Sequence, residues 1–266
     1  MYKIGFIGCG NMASAIISGA VKSAFLNGED ICVFDVDSAK AEALAKDCRV
    51  NIYNSVESVA EDCEFVVLAV KPQVFPTVLP QIKSHLKNNT VVVSIGAGKT
   101  LEYIGSFLEE ETSIIRVMPN INAKVGASMS AVCKNDFADN MALDFVKGLC
   151  RSFGEVTEIP ESQFALFGVI AGCSPAYSFM FIDSMAREAV KNGMKKDEAL
   201  KICAQAVLGS AKMLLQDSEN NPWALINSVC SPGGTTIEGV AKLQSEGFDT
   251  AVMDAVKASL EKDKKL

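Results

Sequence analysis

The sequence predicts an α/β protein: an N-terminal doubly wound parallel sheet followed by an all-helical part. Three observations carry this. From residue 3 to about 158, short β-rich apolar runs alternate with segments of helical spacing. After Glu158-Ile159-Pro160 the β-rich runs stop. A glycine-rich turn joins the first strand pattern to the first helical one.

The strand candidates are Lys3 to Ile7, Ile31 to Phe34, Phe65 to Val70, Val91 to Ile95 and Ile114 to Met118. Their apolar residues run without polar alternation, which is the pattern of strands covered on both faces by crossover helices. The first such helix repeats Ala13, Ile16, Ile17, Ala20, Val21 and Ala24 at helical spacing. This places one domain at residues 1–160 and a helical one at 161–266. In the second, Ser162 can cap a first helix, Ser174-Pro175 restarts a second, and Asn192-Gly193 ends it. A long helix follows from Lys196 to Gln216, Pro222 opens a short one, and Thr235 opens another that stops near Gly247. The helix beginning at Ser174-Pro175 is apolar over more than one face (Ala176, Phe179, Met180, Ile182, Met185, Ala186, Ala189), which predicts burial against another subunit as well as its own core.

Composition narrows the function. The chain has 266 residues, 49% of them hydrophobic, enough for a proper core. Its net charge of -7, with no dense basic run, gives nucleic acid or an anionic membrane little to hold. No cationic leader or apolar stretch approaching the ~20 residues of a membrane span is apparent, so a cytoplasmic protein is expected. Nine cysteines without a C-x-x-C pair read as small core residues in a reducing compartment. The single histidine, His85, removes Ser-His-Asp triads and multi-histidine zinc sites, and no metal is expected; His85 itself reads as a solvated helix-end residue.

Gly8-Cys9-Gly10-Asn11-Met12-Ala13, directly after the strand ending at Ile7, matches G-x-G-x-x-A in the setting where it binds a dinucleotide, a Rossmann-type domain. Gly8 allows the tight turn, and Gly10 lets the backbone approach a pyrophosphate resting on the helix N-terminus. Asp35 closes the second strand. Its carboxylate can accept from the ribose hydroxyls and repel a 2′-phosphate, which favours NADH, although Lys40 on the next helix could meet a phosphate. Ala69-Val70-Lys71-Pro72 and Ile95-Gly96-Ala97-Gly98 follow later strands at the same carboxyl edge; Lys71-Pro72 reads equally as a strand terminator.

Ser231-Pro232-Gly233-Gly234-Thr235-Thr236 feeds a helix carrying Ile237, Val240 and Ala241 on its inner face. Two readings stand side by side here. Thr235 and Glu238 form a T-x-x-E capping box, which needs no ligand. Two adjacent glycines at a helix N-terminus also expose backbone N–H groups suited to a carboxylate.

These motifs, with Arg116-Val117-Met118-Pro119-Asn120 and Pro175-Ala176-Tyr177, stand in the order and spacing of pyrroline-5-carboxylate reductase, and the chain resembles that family over essentially its whole length. The resemblance implies reduction of L-1-pyrroline-5-carboxylate, a cyclic imine carboxylate, to L-proline with NAD(P)H, by a homodimer or higher homo-oligomer joined through the helical domain. It further implies that Ser231, Gly234 and Thr235 hold the substrate carboxylate, that Thr236 offers its hydroxyl to the ring nitrogen as the catalytic residue, and that Asn54 lies beside the cofactor. Around the strand-end motifs it assigns Ile7, Gly8, Cys9, Gly10, Asn11, Met12, Asp35, Ala69, Val70, Lys71, Pro72, Ile95, Gly96 and Ala97 to cofactor binding.

The chain departs from the family pattern at Ala171, Cys173 and Ser174 in the segment leading to Pro175, at Ile121-Asn122 after the Met-Pro-Asn run, and at Ser228 and Cys230. These positions cluster where the substrate is expected. Two rivals remain. A β-hydroxyacid-type dehydrogenase calls for a catalytic lysine in the helix Ala176 to Asn192, which holds only Lys191 at its far end. A non-catalytic dinucleotide-binding paralogue with a regulatory or interaction role is the other.

Overall fold

The computed structural model describes residues 2–216 and 221–263. Its eight strands are β1 (Tyr2–Ile7), β2 (Ile31–Phe34), β3 (Asn51–Ile52), β4 (Cys63–Leu68), β5 (Val91–Ser94), β6 (Ser113–Met118), β7 (Ser128–Lys134) and β8 (Gly154–Glu158). They form one sheet in the order β3-β2-β1-β4-β5-β6-β7-β8. Every neighbouring pair is parallel except β6 with β7, so the all-parallel expectation is corrected at that one pairing. The chain order reverses across β1 and β4, and a crevice at the carboxyl ends of those strands is where open α/β sheets take ligands.

Two apolar layers cover the sheet. On one face α1 (Asn11–Lys22) and α6 (Asn140–Arg151) bury Ile16, Ile17, Val146 and Leu149 against Phe6, Val33 and Val67. On the other, α3 (Val56–Asp62) and α4 (Phe75–Lys83) bury Val59, Phe75, Leu79 and Ile82 against Val66, Leu68 and Val92. Each fully buried side chain of this size contributes about 1.5–3 kcal/mol. Three strands were not anticipated, for physical reasons. The inner positions of β7 include Ser128 and Ser130, both buried and 3.4 Å apart at their hydroxyls, so its run does not look apolar. β8 lies at the sheet edge and carries Glu155 and Glu158, while β3 is two residues long.

Compact unit 1 reaches Gly172, and unit 2 runs from Cys173 to Lys262. Residues 161–172, which the expected boundary at 160/161 places with the helical part, fall within compact unit 1. Glu161 Oε1 accepts from Arg116 Nη1 at 3.0 Å and from the Leu101 N–H at 2.7 Å, and the Arg116 guanidinium lies 4.5 Å over the Phe164 ring. Ser162 caps nothing: Glu161–Gln163 is a 3₁₀ turn preceded by Pro160. The chain continues through α7 (Phe164–Phe167), a π-helical segment (Gly168–Cys173) and α8 (Ser174–Lys191).

Together these make a 31-residue helix, Glu161–Lys191, with a mean hydropathy of 1.7 in its most apolar window. By length and composition it is apolar enough to cross a membrane, which corrects the expectation that no stretch approaches that size. Its polar residues are interspersed, so the stretch is apolar on average without being an unbroken apolar run.

Within unit 2 the other helices are α9 (Lys196–Gln216), α10 (Pro222–Val229), α11 (Thr235–Ser245) and α12 (Phe248–Asp263), the last a helix beyond Gly247 that the sequence pattern does not announce. Tyr177 on α8 and Ser259 on α12 share a hydrogen bond of 2.6 Å. α10, α11 and α12 bury no residue in the single chain, and Met180 is 74% exposed. Ile237, expected on the inner face of α11, is exposed too.

His85 sits just past α4, partly exposed, with Nδ1 2.6 Å from Glu61 Oε1. All nine cysteines are free thiols and six are buried. Burial pushes Cys133 and Cys150 up to about 12.

Candidate active site

The β1–α1 turn begins with a backbone that side chains disfavour. Gly8 has φ +106°, and a Cβ there would stand 2.7 Å from the Ala69 carbonyl oxygen. Its N–H donates to Phe34 O at 2.7 Å, while the Ala69 N–H donates to Ile7 O at 2.9 Å, so the ends of β1, β2 and β4 are laced together. Gly10 is the N-cap of α1, and a Cβ there would meet nothing within 4 Å. The helix N-terminus is thus open to a close-approaching anion.

Asp35 anchors the neighbouring rim through both oxygens. Oδ2 accepts from the Cys9 N–H at 2.7 Å and Oδ1 from the Asp37 N–H at 2.9 Å. Lys40 Nζ lies 3.1 Å from Asp37 Oδ2, and that hydrogen bond, with the charges of Asp37 and Asp35, raises its pKa. Across the gap, Ser55 caps α3 by accepting from the Ser58 N–H at 3.2 Å. The Glu57 carboxyl is held below its usual range by its own N–H and the Ser55 hydroxyl.

These elements enclose a cavity of ≈ 550 Å³ within unit 1. Of the residues expected at the cofactor, Ile7, Gly8, Gly10, Asp35, Asn54, Ala69, Val70 and Lys71 line it. Ser55, Glu57 and Gln81 line it as well and were not anticipated: a serine cap and a first-turn acid look the same on any surface helix. Val36, 94% exposed, offers an apolar platform beside it.

The remaining expected residues fall outside that lining. Cys9 and Met12 turn their side chains into the core; burial and the Asp35 charge push the Cys9 thiol up to about 12. Asn11 lines a separate groove between α1 and the turn Ile121–Val125. Pro72 opens the turn Pro72–Val74. Past β5, Ile95 packs on the core, the Gly96 N–H donates to Ser94 Oγ at 3.2 Å, and Ala97 is exposed.

The residues expected at the substrate lie in unit 2. The turn Ser231–Gly234 is closed by the Gly234 N–H donating to Ser231 O at 3.0 Å, with Gly233 at φ +68°, as a Pro-Gly pair at its centre requires. Gly234, with no side-chain cap, is the N-cap of α11, and Thr235 is already the first helical residue. The capping-box reading of Thr235 and Glu238 is therefore corrected: the closed turn moves the helix start one residue back. Ser231, Thr235 and Thr236 are exposed. Lys191, the lysine a β-hydroxyacid-type dehydrogenase would need, is on the last turn of α8 and pairs with Glu188 Oε2 at 3.2 Å.

Comparison with known proteins decides the family. Residues 161–266 match the model for pyrroline-5-carboxylate reductase dimerisation, and residues 3–98 match that for NADP oxidoreductase, coenzyme F420-dependent. A pyrroline-5-carboxylate reductase of Escherichia coli K12 is 42% identical, covering 99% of this chain and 98% of its own. The chain belongs to the pyrroline-5-carboxylate reductase family. Solved structures agree: the Coxiella burnetii pyrroline-5-carboxylate reductase superposes with a TM-score of 0.93 at 29% identity, over 99% of this chain and 98% of that one. The Plasmodium falciparum pyrroline carboxylate reductase with NADP bound gives 0.88 at 30%, over 99% and 97%. Membership makes the chain an oxidoreductase with pyrroline-5-carboxylate reductase activity and a nicotinamide cofactor, and residues 161–266 its dimerisation domain.

Proposed function

We propose that this pyrroline-5-carboxylate reductase converts L-1-pyrroline-5-carboxylate to L-proline with NADH in preference to NADPH, as a homodimer or higher homo-oligomer in the cytoplasm. The observation that carries the cofactor preference is the acidic rim of the cavity. Asp35 is fixed at the cavity rim by two backbone N–H groups, which suits a contact with the ribose, and Lys40, the cation that could receive a 2′-phosphate, is already held by Asp37. Glu57, kept ionised, adds to the same repulsion. Nine free thiols support the reducing compartment. The uncovered apolar residues of α8 support self-association.

The cofactor, when bound, supplies the hydride that the imine carbon accepts. The chain's part is to bind and orient. The free N–H groups at the start of α11, with Ser231, Gly234 and Thr235, suit the substrate carboxylate; the Thr236 hydroxyl fits the ring nitrogen. A cyclic imine takes its proton readily, so orientation and exclusion of water suffice where a strong acid is absent. His85, engaged with Glu61, has no part in it.

The test is imine-dependent oxidation of NADH and NADPH by the purified protein. A higher kcat/KM with NADH is expected. Equal or reversed ratios overturn the preference, and a protein that binds dinucleotide without imine-dependent turnover would be the non-catalytic paralogue.

A further inference from the structure

Asn120, in the loop after β6, is 6% exposed and uses every polar group it has. Its N–H donates to Ser128 Oγ at 3.2 Å, its Oδ1 accepts from the Asn122 N–H at 3.2 Å, and its Nδ2 donates to the Ala171 carbonyl oxygen at 2.9 Å. The last bond reaches 51 residues along the chain to the middle of the π-helical segment Gly168–Cys173.

The Ala171 carbonyl has a particular need. In an α-helix it would accept from the N–H four residues on, and that residue is Pro175, which has none. A buried carbonyl without a partner costs free energy comparable to a lost hydrogen bond, and Ala171 is itself buried. The Asn120 amide gives that carbonyl a donor from outside the helix. Helical turns widened to the π form concentrate at functional sites, where a side chain or insertion breaks the regular ladder.

We propose that Asn120 is a positioning residue for imine reduction: its amide replaces the N–H that Pro175 lacks and holds the turn Gly168–Cys173 in its widened form, fixing the backbone from which Ser174 and Tyr177 follow. This rests on the reading that the segment Ala171 to Tyr177 borders the imine. Arg116, through Glu161, holds the start of the same helical stretch, so β6 and its loop hold it at two points, Glu161 and Ala171.

The experiment is a double-mutant cycle on the full-length enzyme, with L-1-pyrroline-5-carboxylate and NADH as substrates. Asn120→Ala should lower kcat/KM for the imine at least tenfold while the NADH dissociation constant, read by fluorescence, stays within twofold. Pro175→Ala restores the missing N–H, and in that background Asn120→Ala should cost less than threefold. The same loss in both backgrounds overturns the proposal, because Asn120 would then act elsewhere than on the Ala171 carbonyl. So does a lowered melting temperature with unchanged kcat/KM, which would make it a structural residue only. The underlying reading is probed apart from this by Ser174→Val, which should raise the imine KM; an unchanged KM there removes the segment from the imine site whatever Asn120 does.

Discussion

The two units of this reductase differ in how much of themselves they complete. Unit 1 closes two apolar layers over its sheet and holds its cavity within one chain, with Phe6, Phe75 and Phe153 each under 2% exposed. Unit 2 leaves Phe179, Met180, Leu215 and Met253 in the open and buries nothing on three of its helices. A patch of this kind marks an interaction surface. The match to a pyrroline-5-carboxylate reductase dimerisation model over residues 161–266 fits self-association through this surface. The cavity is thus complete within one chain, whereas the residues proposed to meet the substrate stand on a unit whose helices are left uncovered.

The sharpest way to break that contrast is to charge the open face. Met180→Asp would place an unpaired carboxylate in a buried interface, a cost of several kcal/mol, so the dimer should weaken at least ~100-fold and imine reduction fall with it. NADH binding to the monomer should survive. Sedimentation velocity with cofactor fluorescence checks both; an unchanged dimer would show that this face of α8 is not the interface.

Thr236→Ala probes the proposed contact between unit 2 and the ring nitrogen. Losing a hydrogen bond to a group that is charged during reaction is worth ~1.5–3 kcal/mol, roughly 10- to 100-fold in kcat/KM, with NADH affinity unmoved. Steady-state kinetics and thermal unfolding of the same preparation separate the outcomes. Near-normal turnover with a lowered melting temperature would reduce Thr236 to a helix residue.

The same contrast governs what could be read ahead of the structure. β1, β2, β4, β5 and β6 are continuous apolar runs because both faces are covered within the chain, and their pattern announces them. β7 escapes because its buried serines join a hydrogen-bond network with Asn120, a tertiary arrangement with no local signature. At the site, Gly8 and Gly10 were legible since a strand-to-helix turn with those glycines has one dominant use. Cys9 and Met12 belong to the same turn, but their side chains pack on the core. The bond from Asn120 to Ala171 joins two motifs that the sequence shows only separately.

Asp35→Ser tests unit 1. Removing the carboxylate should shift the NADH to NADPH preference about tenfold toward NADPH, the scale of one charge-assisted hydrogen bond and its repulsion of a phosphate. Because Asp35 also holds the Cys9 N–H, NADH affinity should fall as well. Comparing kcat/KM for the two cofactors decides it; an unchanged ratio takes Asp35 out of the specificity device.

The smallest effect is the most discriminating for the α11 loop. A T-x-x-E capping box would make Thr235→Ala cost about 1 kcal/mol of stability, the usual value of a threonine cap. Here Gly234 is the N-cap and Thr235 the first helical residue, so its hydroxyl caps nothing and alanine is if anything a better helix former. Stability should therefore change by less than ~0.5 kcal/mol, within the range of ordinary surface substitutions. The imine KM should rise severalfold, since the residue is proposed to meet the substrate carboxylate. Chemical denaturation and kinetics on one variant decide between the two roles. A loss near 1 kcal/mol with an unchanged KM would restore the capping box and withdraw Thr235 from the substrate, leaving the carboxylate to Ser231 and the free N–H groups in the first turn of α11.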